Sequence, residues 1–277
     1  MFKKIAKKAL SKNPSLDGVL RSMNFRLQNI QDFSKTEGKE REVLEKIKEN
    51  GYVVIPNFYD KEFCEKCIKD IEWMFDNKKE FLHVKSDLRI FGAEELSKNI
   101  MEFYSDEFLN SVANNYNAKA TSCAFTLANR IQDTAGNLGS GEGWHRDSSF
   151  RQFKSIVYLN DVNENNGPFE LIEQSHKLSN ILKDSKQAKL NLMESRFDED
   201  MINKIAEDNK DRFRIVTGKA GSLLLVDTSI IHRGRPVKEG KRYALTNYFF
   251  TRKEINQKTV DHFAPIVNPE KVLKLAS

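Results

Sequence analysis

Long apolar runs are missing from this chain. The longest, such as Leu223 to Val226, are strand-sized, far short of the ~20 residues that a membrane-spanning helix needs. Cysteine is scarce as well. Cys64, Cys67 and Cys123 make no even framework, which excludes a disulfide scaffold and suits a reducing cytosol. Cys64 and Cys67 do form a Cys-x-x-Cys, but without a second pair and inside a helical-looking segment, so ordinary helix residues are expected rather than a redox or zinc site. No apolar h-region opens the chain, so no secretory signal is read there and a cytoplasmic location is expected. A strong charge bias is also absent. The net charge is only +5 over 277 residues and no nucleic-acid module is recognisable, so no nucleic-acid partner is expected.

What is present is enough for a core. Hydrophobic residues make up 39% and aromatics 10%, while a mean hydropathy of -0.60 places heavy charge on the surface. This allows one large β domain with decorations or two small domains. Lys3, Lys4, Lys7, Lys8 and Lys12 crowd the first dozen residues, with Phe2, Ile5, Ala6 and Leu10 near helical spacing between them. Residues 1–35 are accordingly expected as a basic N-terminal helical extension. It either lies on an anionic membrane surface as a peripheral contact or packs loosely on the domain as a solvated helix.

From residue 36 onward a single domain is expected. A charged helix over 36–50 leads into a short strand, Gly51-Tyr52-Val53-Val54-Ile55-Pro56, opened by Gly and closed by Pro. Asp60 can cap the helix that follows, and 94–116 reads as helical again. Beyond about 121 the character changes to β. Strands are predicted at 121–131, 155–159, 169–172, 212–216, 222–227 and 243–250, with a charged, helix-prone insertion at about 179–211. Many short strands with Gly and Pro punctuation indicate a sandwich or barrel. Helices come first, a β-rich core second.

Chemistry concentrates at Gly143-Trp144-His145-Arg146-Asp147. In an extended backbone, residues two apart point to one side, so His145 and Asp147 can converge while Arg146 turns away. These two suit a divalent metal, and a third ligand from elsewhere would complete a two-His, one-carboxylate face with open positions opposite. His232, between the strand-like Ser229-Ile230-Ile231 and Gly234, is the simplest third ligand; it lies far downstream, so only the fold can bring it close. His83, His176 and His262 fit less well, and His176 reads as a loop or capping residue. Arg242 opens a mostly apolar strand, and a buried guanidinium there wants a permanent anion. That anion is either a substrate carboxylate held in a two-pronged grip or an acidic neighbour such as Glu239 in a surface ion pair.

Taken together, His145-x-Asp147, His232 and Arg242 resemble the phytanoyl-CoA dioxygenase family of iron(II)- and 2-oxoglutarate-dependent oxygenases. Gly51-Tyr52-Val53-Val54-Ile55-Pro56, Trp144 before the first ligand, Asn166-Gly167-Pro168-Phe169 and Ser175-His176-Lys177 are similar to further family segments, so the resemblance spans about residues 50–250. Gln174 departs from it, standing where the family usually has glycine. The resemblance implies a mainly β fold, a double-stranded β-helix (jelly roll, cupin-like) core with N-terminal and inserted helices. It also implies iron(II) held by His145, Asp147 and His232, with O2 consumed and 2-oxoglutarate held by Arg242. A carboxylate at Asp147 speaks for hydroxylation over halogenation, since relatives that bind halide carry a small residue there.

Lys154 shares a strand face with Ile156 and Tyr158 and aligns roughly with a family position that contacts the co-substrate; a solvent-facing lysine is the other reading. Arg130 and Gln132 share a face with Thr126 and Ala128, while Asn129 points the other way. Arg130 and Gln132 either line a polar substrate pocket or meet solvent, and Thr126 is expected to meet solvent. The resulting expectation is a hydroxylase of a small-molecule, sugar- or lipid-linked metabolite that releases succinate and CO2. A zinc hydrolase on the same three ligands and a non-catalytic jelly-roll binding protein are the rivals. Substrate and oligomeric state are open at this level.

Overall fold

Helices predominate before residue 121 and strands after it, with short strands among the first and two helices among the second. The computed structural model describes residues 14–133, 136–191, 194–207 and 209–251; the basic segment around Phe2, Ile5, Ala6 and Leu10, and His262, lie outside them. Helices α1 (Pro14–Gln28) and α2 (Gly38–Asn50) lead to β1 (Tyr52–Ile55), followed by α3 (Lys61–Asn77), β2 (His83–Val84) and β3 (Leu88–Phe91). Two more helices, α4 (Lys98–Ser105) and α5 (Glu107–Asn117), precede β4 (Thr121–Gln132), β5 (Phe153–Tyr158) and β6 (Phe169–Ile172). The insertion supplies α6 (Leu178–Gln187) and α7 (Glu199–Glu207), after which come β7 (Phe213–Val216), β8 (Leu223–Asp227), β9 (Ile231–Gly234) and β10 (Lys241–Thr251).

Local signals explain several boundaries. Asp60 caps α3 by accepting from the Phe63 amide at 2.7 Å, satisfying one donor of the open first turn. Gly51 ends α2 at φ +90°, and a Cβ there would meet His176 Nδ1 at 2.6 Å, so both conformation and space require glycine. Gln174 holds φ +61°, the left-handed region. The turn thus keeps a backbone shape that glycine adopts freely, anchored by the Gln174 amide donating to Asn50 O at 2.9 Å. His83 falls on the two-residue β2 rather than on a helix or loop.

The strands form two antiparallel sheets, one of seven in the order β1-β8-β5-β10-β4-β3-β2 and one of three in the order β7-β6-β9. Period-two alternation separates two apolar layers. Ile156, Tyr158, Leu224, Val226 and Ala244 of the large sheet meet Phe169, Leu171 and Val216 of the small one in the sandwich interior. The alternate residues of the large sheet, including Val157, Leu223, Leu225, Leu245 and Phe249, pack outward with Leu44, Ile47, Ile71, Phe103 and Val112 of helices α2 to α5. Cys64 and Cys67 are buried helix residues in this layer, and burial pushes the Cys64 thiol up to about 11. On the far side, Ile202 and Ile205 of α7 cover Ile172 and Ile231 of the small sheet, with Trp144 and Phe197. The architecture is the jelly roll with N-terminal and inserted helices.

Helix α1 docks on the loops beside the small sheet. Arg26 donates to His176 O at 2.9 Å, and Phe25 meets Phe150 edge-on with centroids 5.2 Å apart. Among the described residues no helix is long and apolar enough to cross a membrane.

Candidate metal centre

The segment around His145 passes alongside β9 and joins it through a single bridge. His145 and His232 form a reciprocal backbone pair, each amide donating to the other's carbonyl at 2.9 and 2.8 Å. Directly opposed residues in an antiparallel pair project to the same face, so two histidines distant in sequence stand side by side, ring centroids 4.3 Å apart. Asp147, two residues on, projects to the same side, and its amide donates to Thr228 O at 2.9 Å. One ligand atom from each of His145, Asp147 and His232 lies within 4.8 Å of the others.

The two rings are oriented for coordination. Nδ1 of His145 lies 2.9 Å from Gly143 O, and Nδ1 of His232 lies 2.9 Å from Ile230 O. A carbonyl oxygen only accepts, so Nδ1 carries the proton and the Nε2 lone pair faces the centre. Burial disfavours the imidazolium of both. His145 lies below its ordinary value, while His232, with His145 beside it, falls to about 3. Asp147 is pushed up by burial but held well below the usual carboxylate range by Lys154, His232 and His145. Two neutral imidazoles and a carboxylate form a donor set that fits iron(II). Gly141, at φ +89°, lies against the His145 ring; a Cβ there would meet Cε1 at 2.2 Å.

Trp144 and Arg146 project the other way, and Arg146 pins the motif from behind. It is fully buried, its Nη1 donates to Ser175 O and Ser229 O at 2.5 Å, and its Nη2 donates to Asp184 of α6 at 3.3 Å. The Asp227 carboxylate knots the turn before β9, accepting from the Ser229 amide at 2.9 Å, Gln152 amide at 3.2 Å and Tyr116 hydroxyl at 2.8 Å. Both networks escape a reading by motif, because neither partner set is local in sequence.

A cavity of about 310 Å³ opens beside the three residues, between the two sheets. Its buried end is walled by Ile156, Phe169, Thr246 and Arg242. Arg242 is 4% exposed; Nη1 donates to Gly167 O at 2.5 Å, but Nε has no hydrogen-bond partner. Among the described residues it makes no ion pair, so the surface bridge to Glu239 does not form, and burial pulls its pKa down despite Tyr158 nearby. Lys154 is likewise buried rather than solvent-facing. Its Nζ lies 2.6 Å from Asp147 Oδ2 and 3.9 Å over the Tyr248 ring. Burial works against the ammonium, but Asp147 and Tyr248 more than offset it.

Arg130 and Gln132 do not line this cavity. Leu127 and Asn129 of β4 do. Arg130 faces the helices instead, bound to Glu72 of α3 at 2.6 Å and lying over Phe75, while Gln132 sits exposed at the strand's end. Thr126, expected at the surface, is fully buried and donates to Asn247 Oδ1 at 2.6 Å. Both faces of β4 are covered, one by helices and one by the cavity, so polarity alone does not mark the pocket side. The solvent end of the cavity is lined by Lys85, Arg89, Glu142 and Arg196, none of which stands in a recognisable motif.

Among curated proteins, none matches the chain significantly in sequence. In structure, it is similar to EctD from S. alaskensis with 2-oxoglutarate and 5-hydroxyectoine, with TM-score 0.61, 14% identity and 87% of each chain covered. It is also similar to the α-ketoglutarate-dependent carbocyclase SnoK from nogalamycin biosynthesis (TM-score 0.56, 14% identity, covering 78% of this chain and 84% of that one). The epimerase SnoN in complex with Fe3+, α-ketoglutarate and nogalamycin RO gives TM-score 0.56 at 12% identity, over 76% and 83% of the two chains. At such identities the likeness establishes the fold. The sequence profile of phytanoyl-CoA dioxygenase (PhyH) matches residues 47–243, most of the chain. The chain therefore belongs to the phytanoyl-CoA dioxygenase family, and it is an iron(II)- and 2-oxoglutarate-dependent oxygenase.

Proposed function

We propose that His145, Asp147 and His232 hold iron(II), that Arg242 receives the distal carboxylate of 2-oxoglutarate, and that the enzyme hydroxylates a small-molecule, sugar- or lipid-linked metabolite. The observation that carries this reading is the unpaired Arg242 in the cavity that also holds the three convergent donors. A guanidinium buried without an anion is costly, and a dicarboxylate co-substrate supplies the anion. Iron(II), 2-oxoglutarate and O2 together supply the oxidising power, with succinate and CO2 released.

The chain's own residues position and shield. The Nδ1–H bonds fix both rings, and Lys154 keeps Asp147 ionised. Thr246 lines the same cavity face as Arg242, while Phe169 stacks on His232 with centroids 5.1 Å apart and excludes water from that side. Epimerase and carbocyclase activities are named for two of the similar structures, so the fold accommodates outcomes other than hydroxylation. Asp147 leaves no vacancy for a halide, which favours oxygen insertion.

A zinc hydrolase on the same donors has no use for Arg242. Succinate formation from 2-oxoglutarate with iron(II) and ascorbate separates the two. Wild-type turnover abolished by His145→Ala, and a sharply raised KM in Arg242→Ala, is the expected result. Absence of both 2-oxoglutarate binding and turnover overturns it.

A further inference from the structure

The solvent end of the cavity is cationic in a way that the reaction does not require. Lys85, Arg89 and Arg196 line it, against one acidic side chain, Glu142. That carboxylate accepts from the Ser86 amide at 2.9 Å and offsets Lys85 and Arg89; burial raises its pKa, but this bond and these charges depress it below the ordinary value. Asp87, just behind the wall, is saturated. It holds Arg89 Nε at 2.5 Å, the Asn129 amide at 2.9 Å and the Ser140 hydroxyl at 2.9 Å. No carboxylate among the described residues pairs with Arg196.

Arg196 is nonetheless held in place. Its backbone bridges to His145, and its Nη1 donates to the carbonyls of Gly141 and, at 3.2 Å, Glu142. These carbonyls belong to the turn that presses against the His145 ring. The guanidinium is therefore fixed beside a ligand of the proposed metal centre. An arginine held by neutral carbonyls next to a cation-binding centre gains hydrogen bonds from its neighbours but no counter-charge. Its fork still offers donors to a planar or tetrahedral oxyanion.

Charge across the whole cavity leads to the same ligand. At the buried end iron(II), Lys154 and Arg242 face Asp147 and the two carboxylates of 2-oxoglutarate, which leaves no negative charge to spare for the open end. Arg196 is left over at the open end, which Arg89 of β3, paired with Asp87, also lines. Resting on the oxygenase reading above, we propose that the substrate carries an oxyanion, a carboxylate or a phosphate. Arg196, assisted by Arg89, receives it at the cavity mouth and directs the adjacent carbon skeleton inward to the metal. The same charges raise the encounter rate for anionic over neutral candidates.

Calorimetry on the full chain under anaerobic conditions tests this, first titrating iron(II) and 2-oxoglutarate, then inorganic phosphate, acetate and neutral acetamide. Phosphate or acetate is expected to bind and acetamide not, and the tighter of the two anions identifies the oxyanion type. The dissociation constant should rise about tenfold or more in Arg196→Gln and recover in part in Arg196→Lys, as loss of a charge-assisted bond implies. Arg196 is exposed, so these variants do not endanger the core. Equal anion affinity in wild type and Arg196→Gln, or no anion binding to wild type, overturns the proposal even when 2-oxoglutarate binds. Failure of 2-oxoglutarate to bind while Arg196-dependent anion binding persists overturns the oxygenase reading and leaves the anion site standing.

Discussion

The two ends of the cavity's buried wall are built on opposite plans. At the triad the side chains are oriented by fixed contacts: both Nδ1 atoms meet carbonyls, and Lys154 meets Asp147, which leaves the two Nε2 atoms directed at the centre. At the Arg242 end, on the neighbouring strand, a cation equally buried keeps Nε without a partner. The first region is organised before anything binds. The second gives up stability for a ligand that has yet to arrive.

Removing a donor from the first region has the largest expected effect. His232→Ala should reduce iron(II) affinity and succinate formation by more than about 100-fold, since losing even an outer partner of a ligand costs 10- to 100-fold. At the second region, Arg242→Ala should raise the KM for 2-oxoglutarate roughly 30- to 5000-fold, from the ~2–5 kcal/mol that a truncated buried charge pair costs. The contrast sharpens with Arg242→Met. Without 2-oxoglutarate this variant should unfold at a higher temperature, by about 1–3 kcal/mol of stability, because the unpaired charge is gone. Adding 2-oxoglutarate should then stabilise wild type and leave the variant unmoved. A fall in the variant's ligand-free Tm would show that Arg242 is satisfied after all.

Gly141→Ala probes the packing behind the first ligand. The added methyl meets the His145 ring, so iron(II) titration should show about tenfold weaker binding with the fold intact by circular dichroism.

Acidification compares the two regions by another route. Protons compete with metal for Nε2, and burial holds His145 below its ordinary value and His232 at about 3. Iron(II) affinity should therefore fall less between pH 8 and 6 than it would with two ordinary imidazoles, which begin to titrate there. The same shifts make the metal-free protein gain stability as pH rises from about 3 to 6.5. Over that range the unfolded chain binds protons that the folded rings refuse. A drop in affinity centred near 6.5 would show both rings solvated. The smallest effect belongs to neither end. Gln174→Gly should raise stability by about 0.5 kcal/mol through relief of its left-handed backbone, with turnover unchanged.

Much of this was legible in the sequence because it is local. His145-x-Asp147 needs only an extended backbone, and the strand 169–172 is bounded by its own turn chemistry. The long-range partners were not. Arg146 finds Asp184 in the insertion and Asp227 finds Tyr116 on α5, pairs that no spacing rule connects. β4 misled for a different reason: Arg130 satisfies its charge on Glu72, beneath the helices, and the modest Asn129 takes the pocket side. The one available signal was register. Placing Arg242 in the cavity and pairing it across from Ile131 puts Asn129, not Arg130, on its face.

The hydrogen-bonded pair between His145 and His232 also makes the centre behave as a parity check on the chain. Sliding either strand by two residues would keep the faces and merely move the ligands along. Sliding by one would turn both members of one segment outward, His145 together with Asp147, and leave Trp144 and Arg146 facing the cavity. Insertions and deletions in the connecting turns are thus absorbed only in forms that preserve this pairing, and the metal-binding face is inherited or lost as a whole.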